Sequence, residues 1–440
     1  MANNAPSGES MYPEISERER FPILTPRGRA FLHRMRQHAN APLWNWPNGE
    51  QLDHRGLERV QEFQRGLAAQ GAYASLDEPA WLSEFVEYCV SDVPFYRRRT
   101  PRDARFHEIP SCNRADLAPR VWDFVPDSEP VDELVIFSSS GTTGQPTRTA
   151  HHPFSAACGI PMIEYALREL HGISIPRGVD QVAITNVAAY PGAFSTAIVV
   201  SYLEEAGCVR VNLDPSAWRS PADREAYINT WNAPIWLGDP VAYGAMETLE
   251  ISRAPQAIVS SILHLNPSYA DKLQQRYGCP VIDLYAMTEA GIIAAGTRGG
   301  HRILAHDLHV EILDELGRRC PPGVRGEVTL TGGRNPFLPL LRYRTGDFAS
   351  LALVDGHRVL VEFEGRQPVD YRASDGRRVH SMELTRLMRL FPVHRYQLRE
   401  TETGRYDLSI RGDVDREALQ EAVVQLFGTC VDLRYDEVSG

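Results

Sequence analysis

Lysine is nearly absent from this sequence: 440 residues contain one, Lys272, so all but one of the 46 basic side chains are arginines. GC-rich codon usage accounts for such a trend. The chemical consequence is the same whatever the cause, because a compact, mobile ammonium and a planar guanidinium are different donors. Long apolar runs are missing too. No stretch approaches the roughly 18 apolar residues of a membrane span, and the opening MANNAPSGESMYPEISERERF lacks a secretory apolar core, so a cytoplasmic protein with no membrane partner is expected. The cysteines (Cys89, Cys112, Cys158, Cys208, Cys279, Cys320 and Cys430) are odd in number and form no CxxC pair, which excludes a disulfide framework and a zinc ribbon. Free and mostly buried thiols are expected. No basic block interrupts a net charge of -11, from 57 acidic against 46 basic residues, so nucleic acid is not the partner.

What is present is a globular composition. Hydrophobic residues make up 43% and charged residues 23%, enough to bury a sizeable core. The length allows two or three domains, or one large and one small. Residues 1–20 are polar, proline-bearing and without periodicity, and are read as a mobile tail. Between Gly56 and Arg98 apolar residues recur at helical spacing (Leu57, Val60, Phe63, then Leu82, Phe85, Val86, Cys89). From Val131 the texture changes: Leu134–Phe137 is a short apolar run followed by a Ser/Thr/Gly cluster, read as a buried parallel strand entering a crossover. Similar runs at Val182–Ile184, Val209–Leu213, Ile235–Leu237 and Val281–Tyr285 alternate with helical segments, which argues an α/β architecture. After Ala305, HVEILDELGRRCPPGVRGEVTLTG reads as a hairpin and opens a β-rich subdomain. The end reads strand (Tyr396–Arg399), turn at Gly404, strand (Tyr406–Ile410), helix and strand (Val431–Tyr435). Its helix carries Asp415 as N-cap, an apolar face of Leu419, Val423, Leu426 and Phe427, and Gly428 as C-cap. The expected organisation is a tail (1–20), a large α/β domain with mixed sheets and a β-rich subdomain (21–364), and a small α+β domain (365–440).

Three segments carry chemistry. Ser138, Ser139, Ser140, Gly141, Thr142, Thr143 and Gly144 follow the Leu134–Phe137 run, where small residues let backbone N–H groups converge on phosphate oxygens and the hydroxyls add donors. This is not a Walker loop, because Gln145 stands where that motif demands lysine. Alone, such a loop is more often a plain turn. In Asp283-Leu284-Tyr285-Ala286-Met287-Thr288-Glu289-Ala290-Gly291, an aromatic ring can stack on a purine, a threonine can bond phosphate, and a carboxylate can hold Mg²⁺. Residues just past strand C-termini are where α/β proteins bind ligands. In Leu341-Arg342-Tyr343-Arg344-Thr345-Gly346-Asp347, an aspartate after a tight turn can accept two ribose hydroxyls.

Together and in this order, SSSGTTGQPT, DLYAMTEAG and NPFLPLLRYRTGD resemble the adenylate-forming superfamily of acyl-CoA synthetases, most closely its phenylacetate–coenzyme A ligase branch. DVPFYRRR, the HVEILDELG to GEVTLTG hairpin and GRQPVDYRASDGRRVHSMEL at the interdomain hinge add to the resemblance, which spans residues 80 to 440. It implies a two-step ligase that uses ATP and Mg²⁺. A carboxylate attacks the α-phosphorus to give acyl-AMP and pyrophosphate, and an acceptor then displaces AMP. By matching positions, Ser138 through Gly144 would cradle pyrophosphate, Tyr285 would flank adenine, Thr288 and Glu289 would hold phosphate and Mg²⁺, Asp347 would bind ribose, and Arg366 would touch the nucleotide from the hinge. The segment containing Tyr190, Gly192 and Phe194 resembles the wall of the acid pocket. With Ala286 and Gly291 it would favour a flat aryl or arylacetic acid. Relatives of this branch often form homodimers.

The sequence departs from the family in several places. The C-terminal lysine that neutralises the α-phosphate and carboxylate has no counterpart, since Lys272 lies in a segment equivalent to a large-domain helix and the chain ends at VDLRYDEVSG. Losing one preorganised charged donor costs about 10²–10³ in rate. A shortened chain, a substitute such as Arg434, or an enzyme that no longer relies on that step would each account for it. The adenine-covering loop reads His264-Leu265-Asn266-Pro267 and keeps only the proline, so Asn266 and Pro267 are its candidate contacts. Val369 replaces an acidic hinge residue and RASDGRRVHSM replaces the glycine-rich CoA tunnel, which weighs against CoA and leaves a carrier thiol, an amine or a hydroxyl as acceptor. His301, His306, His309 and Cys320 lie where some relatives hold zinc with cysteines, and those cysteines are not matched. Two other readings stay open: an adenylyltransferase that moves AMP itself to an acceptor, and a non-catalytic binder of nucleotide or acyl-adenylate.

Overall fold

The computed structural model describes residues 15–69, 75–101, 103–139, 147–304, 306–364 and 370–436. A continuous sheet of thirteen described strands organises the large domain. Half of it is parallel, with Ala206–Asn212, Val182–Ala188, Ile235–Gly238, Ala257–Ser260 and Val281–Met287 side by side in that order and Thr196–Val200 antiparallel at the outer edge. The other half is antiparallel: Gly291–Thr297 folds back on Val281–Met287, followed by Gly300–Ile303, His357–Glu364, Leu340–Val354, Gly326–Gly332 and Leu308–Leu313. The expected change from crossovers to hairpins therefore falls at residue 291.

The parallel strands read as unbroken apolar runs because helices cover both faces. Along Ala206–Asn212, Cys208 joins the core beneath His54–Ala69 and Gly159–His171, while Val209 and Val211 join the core beneath Pro26–Arg36, Ala222–Trp231 and Pro267–Tyr277. All the cysteines are free, and only Cys320 is not fully buried.

Two expectations need correcting. The Leu134–Phe137 run does not enter the parallel sheet: Val135–Ser139 pairs antiparallel with Thr147–His151 in a separate two-stranded ribbon, and Ile136 and Phe137 are partly exposed. An apolar run sets a strand but does not name its partner. The expected tail also extends too far. Ser16 caps the helical turn Glu17–Arg20, Glu17 pairs with Arg29 and Arg36, and Phe21 is buried beneath the Arg36 guanidinium.

The small domain has the expected α+β order. Val393–Glu402 pairs antiparallel with Arg405–Gly412, which pairs parallel with Val431–Tyr435. The connecting helix Arg416–Phe427 starts where the Asp415 carboxylate accepts from Glu417 and Ala418 N–H, and ends at Gly428. Leu419, Val423 and Phe427 are fully buried, as the helical spacing requires. Among the described residues no helix is long and apolar enough to cross a membrane.

Candidate nucleotide and acid site

The parallel strands end together. Asn186, Leu237, Val259 and Ile282 lie in register across four strands, and one step further Gly238, Ser260 and Asp283 do the same. Beyond this row Val281–Met287 continues, turns at Thr288–Ala290 and returns from Gly291. Only glycine suits that return, because Gly291 has φ +70° and a Cβ there would lie 3.1 Å from Arg334 Nη1. The Arg334 guanidinium grips Asp307 through two bonds of 2.8 Å, which makes it a stiff wall beside the turn.

The turn holds Thr288, half-buried, and Glu289, buried. Glu289 Oε1 accepts from the Tyr343 hydroxyl at 3.1 Å. Burial and the neighbouring carboxylate push the Tyr343 phenol far above its ordinary range, so it stays a donor. Tyr343 lies in the long strand Leu340–Val354. The turn expected before Asp347 is instead a bulge within that strand. Arg344 faces Thr329 and Phe348 faces Glu327, so Thr345, Gly346 and Asp347 loop out, with Gly346 at φ +83°. Asp347 Oδ2 thereby accepts from the Tyr285 hydroxyl at 2.8 Å. Burial, then the Asp347 charge, hold the Tyr285 phenol well above its usual range. The Phe363 ring lies 4.4 Å from the Tyr285 ring and 5.0 Å from His301, and His301 Nε2 lies 3.2 Å from Asp283 Oδ2.

Tyr285, Ala286, Thr288, Glu289, Gly291 and Asp347 thus form one group. Tyr190, Gly192 and Phe194 lie apart, in the loop after Val182–Ala188, three strands and roughly 14 Å along the same edge. The Tyr190 carbonyl accepts from Asn212 Nδ2, and the Phe194 ring packs on Trp46 and beneath Arg210. Asn266 starts the helix Pro267–Tyr277: its Oδ1 accepts from Ser268 N–H, its Nδ2 donates to the Met388 carbonyl, and Ser268 Oγ donates to the Arg389 carbonyl. The Asn266 side chain is therefore committed to the small domain. Ser138 and Ser139 end the ribbon strand; Ser140, Gly141, Thr142, Thr143, Gly144 and Arg366 lie outside the described residues.

The basic candidates are engaged elsewhere. Lys272 Nζ lies 3.6 Å from Glu247 and 3.4 Å from Asp413, bridging the domains. Beside it His394 is buried against Gly244, 4.3 Å from the Tyr269 ring and 3.5 Å from Glu247 Oε2. Arg434 pairs with Asp407 at 2.6 Å within the small domain's own sheet. His301 turns to Asp283, His306 to Tyr165 and His309 to Phe106. Among the described residues no three His, Cys, Asp or Glu side chains converge on a shared ion.

This donor set suits a magnesium nucleotide. Glu289 supplies a hard carboxylate oxygen oriented by Tyr343, Asp347 supplies an oriented acceptor, and Tyr285 with Phe363 supplies apolar ring surface. Sequence reasoning missed Tyr343, Phe363, Arg334 and Arg210. Tyr343 stands within the Leu341–Asp347 segment without a role, Phe363 is not singled out, and the two arginines acquire meaning only from strand register.

Comparison with known proteins gives the family. Residues 100–335, more than half of the chain, match the model of the family described as AMP-binding enzyme. The chain is 26% identical over 296 residues to phenylacetate-coenzyme A ligase of Pseudomonas putida, covering 60% of this chain and 64% of that protein. It is 26% identical over 332 residues to enterobactin synthase component F of Escherichia coli K12, covering 66% of this chain and 24% of that one. This chain therefore spans less than two thirds of either relative. Among solved structures, 2-hydroxyisobutyryl-CoA ligase in the postadenylation state superposes with a TM-score of 0.57 at 15% identity, covering 88% of this chain and 86% of that one, which is a likeness of fold. The chain belongs to the AMP-binding enzyme family.

Proposed function

We propose that this chain is an ATP- and Mg²⁺-dependent ligase that activates a small carboxylic acid as acyl-AMP and passes the acyl group to a nucleophilic acceptor. The observation that carries this reading is the Tyr285–Asp347 bond beside the Glu289 turn, which brings an aromatic ring and two carboxylates from separate strands into one group. ATP supplies the activated α-phosphorus, and Mg²⁺ held at Glu289 supplies charge neutralisation. The protein's part is positioning, which dominates displacement on a polyanion. Asp347 accepts the ribose hydroxyls, Tyr285 and Phe363 flank the base, Thr288 donates to phosphate, and the segment Ser138 to Gly144 cradles pyrophosphate. Arg366 contacts the nucleotide from the hinge. The acid lies along the strand ends between Ala286 and Tyr190.

The Pseudomonas putida relative acts on phenylacetate by its name, which supports an aryl or arylacetic acid for this chain. The acceptor is CoA, a carrier thiol, an amine or a hydroxyl. A cytoplasmic location and a homodimer belong to the same proposal. Acid-dependent exchange of labelled pyrophosphate into ATP tests it. Exchange that needs both an acid and Glu289 supports the ligase, whereas nucleotide binding with no exchange for any acid overturns it in favour of AMP transfer or binding alone.

A further inference from the structure

Thr196, Arg210 and Asn186 lie in register on three adjacent strands at the C-terminal edge of the sheet, so their side chains share one face. Leu237, Val259 and Ile282 continue the row toward the Ala286 strand. The Phe194 ring covers the Arg210 guanidinium at 4.2 Å, and Arg210 Nη2 reaches the Tyr190 hydroxyl at only 3.4 Å. Among the described residues, Arg210 Nε and Thr196 Oγ1 are buried with no hydrogen-bond partner, and no carboxylate forms an ion pair with Arg210. The carboxylate that senses its charge, Asp239, spends Oδ1 on the Ala242 N–H and shares its field with Arg411 of the small domain, whose Nε is also buried and unpartnered.

Buried polar atoms in folded proteins are nearly all satisfied, and leaving one unpaired costs about 1–3 kcal/mol. Two such atoms on adjacent strands, under an aromatic lid and at the far end of the acid site, mark a place prepared for an anionic group. A planar guanidinium suits a carboxylate there. We infer that the acid activated by this chain is a dicarboxylic acid, its reacting carboxylate toward Thr288 and its distal carboxylate held by Arg210 with Thr196. This rests on the ligase reading for the reacting end and goes beyond it in naming the second group. No covalent step is added: the distal carboxylate is bound as an anion.

The test uses matched acids, phenylacetate against 4-carboxyphenylacetate and hexanoate against adipate, with the full chain. Calorimetric binding and ATP–pyrophosphate exchange are both measured. The diacid of each pair should bind at least about tenfold tighter, the worth of one charged hydrogen bond, with the preference carried in KM. Arg210→Met should bring the ratio to about one, and Arg210→Lys should recover part of it. Should Arg210→Met fail to fold, Thr196→Val reports the same ratio. Equal binding of both acids, or a ratio that survives Arg210→Met, overturns the inference even where exchange with monoacids proceeds. Arg210-dependent diacid binding without exchange upholds the distal carboxylate site at Arg210 and overturns the ligase reading on which the reacting end rests.

Discussion

Asp347→Ala separates the two duties of one carboxylate. In the free protein Asp347 Oδ2 accepts from Tyr285 at 2.8 Å, and Tyr285 is only 7% exposed. Removing the acceptor leaves that buried hydroxyl with only the Thr345 side chain, which costs about 1 kcal/mol of stability. On the proposed function it also deletes the acceptor for the ribose hydroxyls, each a charge-assisted bond worth about 1.5–3 kcal/mol. If two such bonds net about 3 kcal/mol, KM for ATP rises by roughly 150-fold. Asp347→Asn keeps an oxygen for Tyr285 but weakens ribose binding, so it should melt near wild type and raise KM by about tenfold. The double variant Asp347→Ala, Tyr285→Phe makes the decisive comparison. Deleting the Tyr285 hydroxyl should restore most of the lost stability and none of the lost affinity. Thermal melts and ATP titrations of the four proteins suffice. A stability loss that Tyr285→Phe does not relieve, or an ATP KM that Asp347→Ala leaves unchanged, refutes the reasoning.

Glu289→Gln keeps an acceptor for Tyr343 and removes the charge, so it should fold normally while exchange falls about 10²–10³-fold and the Mg²⁺ requirement rises; wild-type exchange in this variant contradicts the assignment. Gly244→Ala places a Cβ 2.3 Å from His394 Nδ1, which should lift the small domain off Pro240–Met246, raising the radius of gyration in solution scattering and lowering exchange by up to about a hundredfold. An unchanged scattering profile would show that the contact tolerates a methyl. Burial holds His151 and His309 down to about 4, so both are neutral when folded and take up protons on unfolding below their ordinary 6.5. Their stability contribution is complete above pH 6.5 and is lost as pH falls toward 4, by about 1.4 kcal/mol per pH unit for each. His309→Leu should shallow that slope by one proton, read from urea midpoints between pH 7 and 5; parallel profiles contradict it.

The legible part of this molecule is what strand ends and helix caps encode locally. Tyr285, Glu289 and Asp347 stood out because each lies at or just beyond an apolar strand, and the structure brings them within hydrogen-bonding distance of one another or of a shared strand. The helix Arg416–Phe427 carries its own start, face and stop. Partnerships were not legible. The Val135–Ser139 run looks like its neighbours in the parallel sheet yet pairs with Thr147–His151, because pairing depends on distant chain. Asn266 resembles an adenine contact in sequence, but its amide is taken by the Met388 carbonyl, which no local pattern could show. Tyr343 has no role until the Glu289 turn reaches it, and Arg210 reads as a stray charge in an apolar strand until register sets it beside Thr196.

The central claim is carboxylate activation at the Tyr285–Asp347–Glu289 site. Pyrophosphate exchange into ATP, run with aryl, arylacetic, aliphatic and dicarboxylic acids on wild type and Glu289→Gln, tests it most directly. Exchange that appears only with an acid and collapses in the variant is the predicted result. Tight ATP binding with no exchange for any acid would contradict the account.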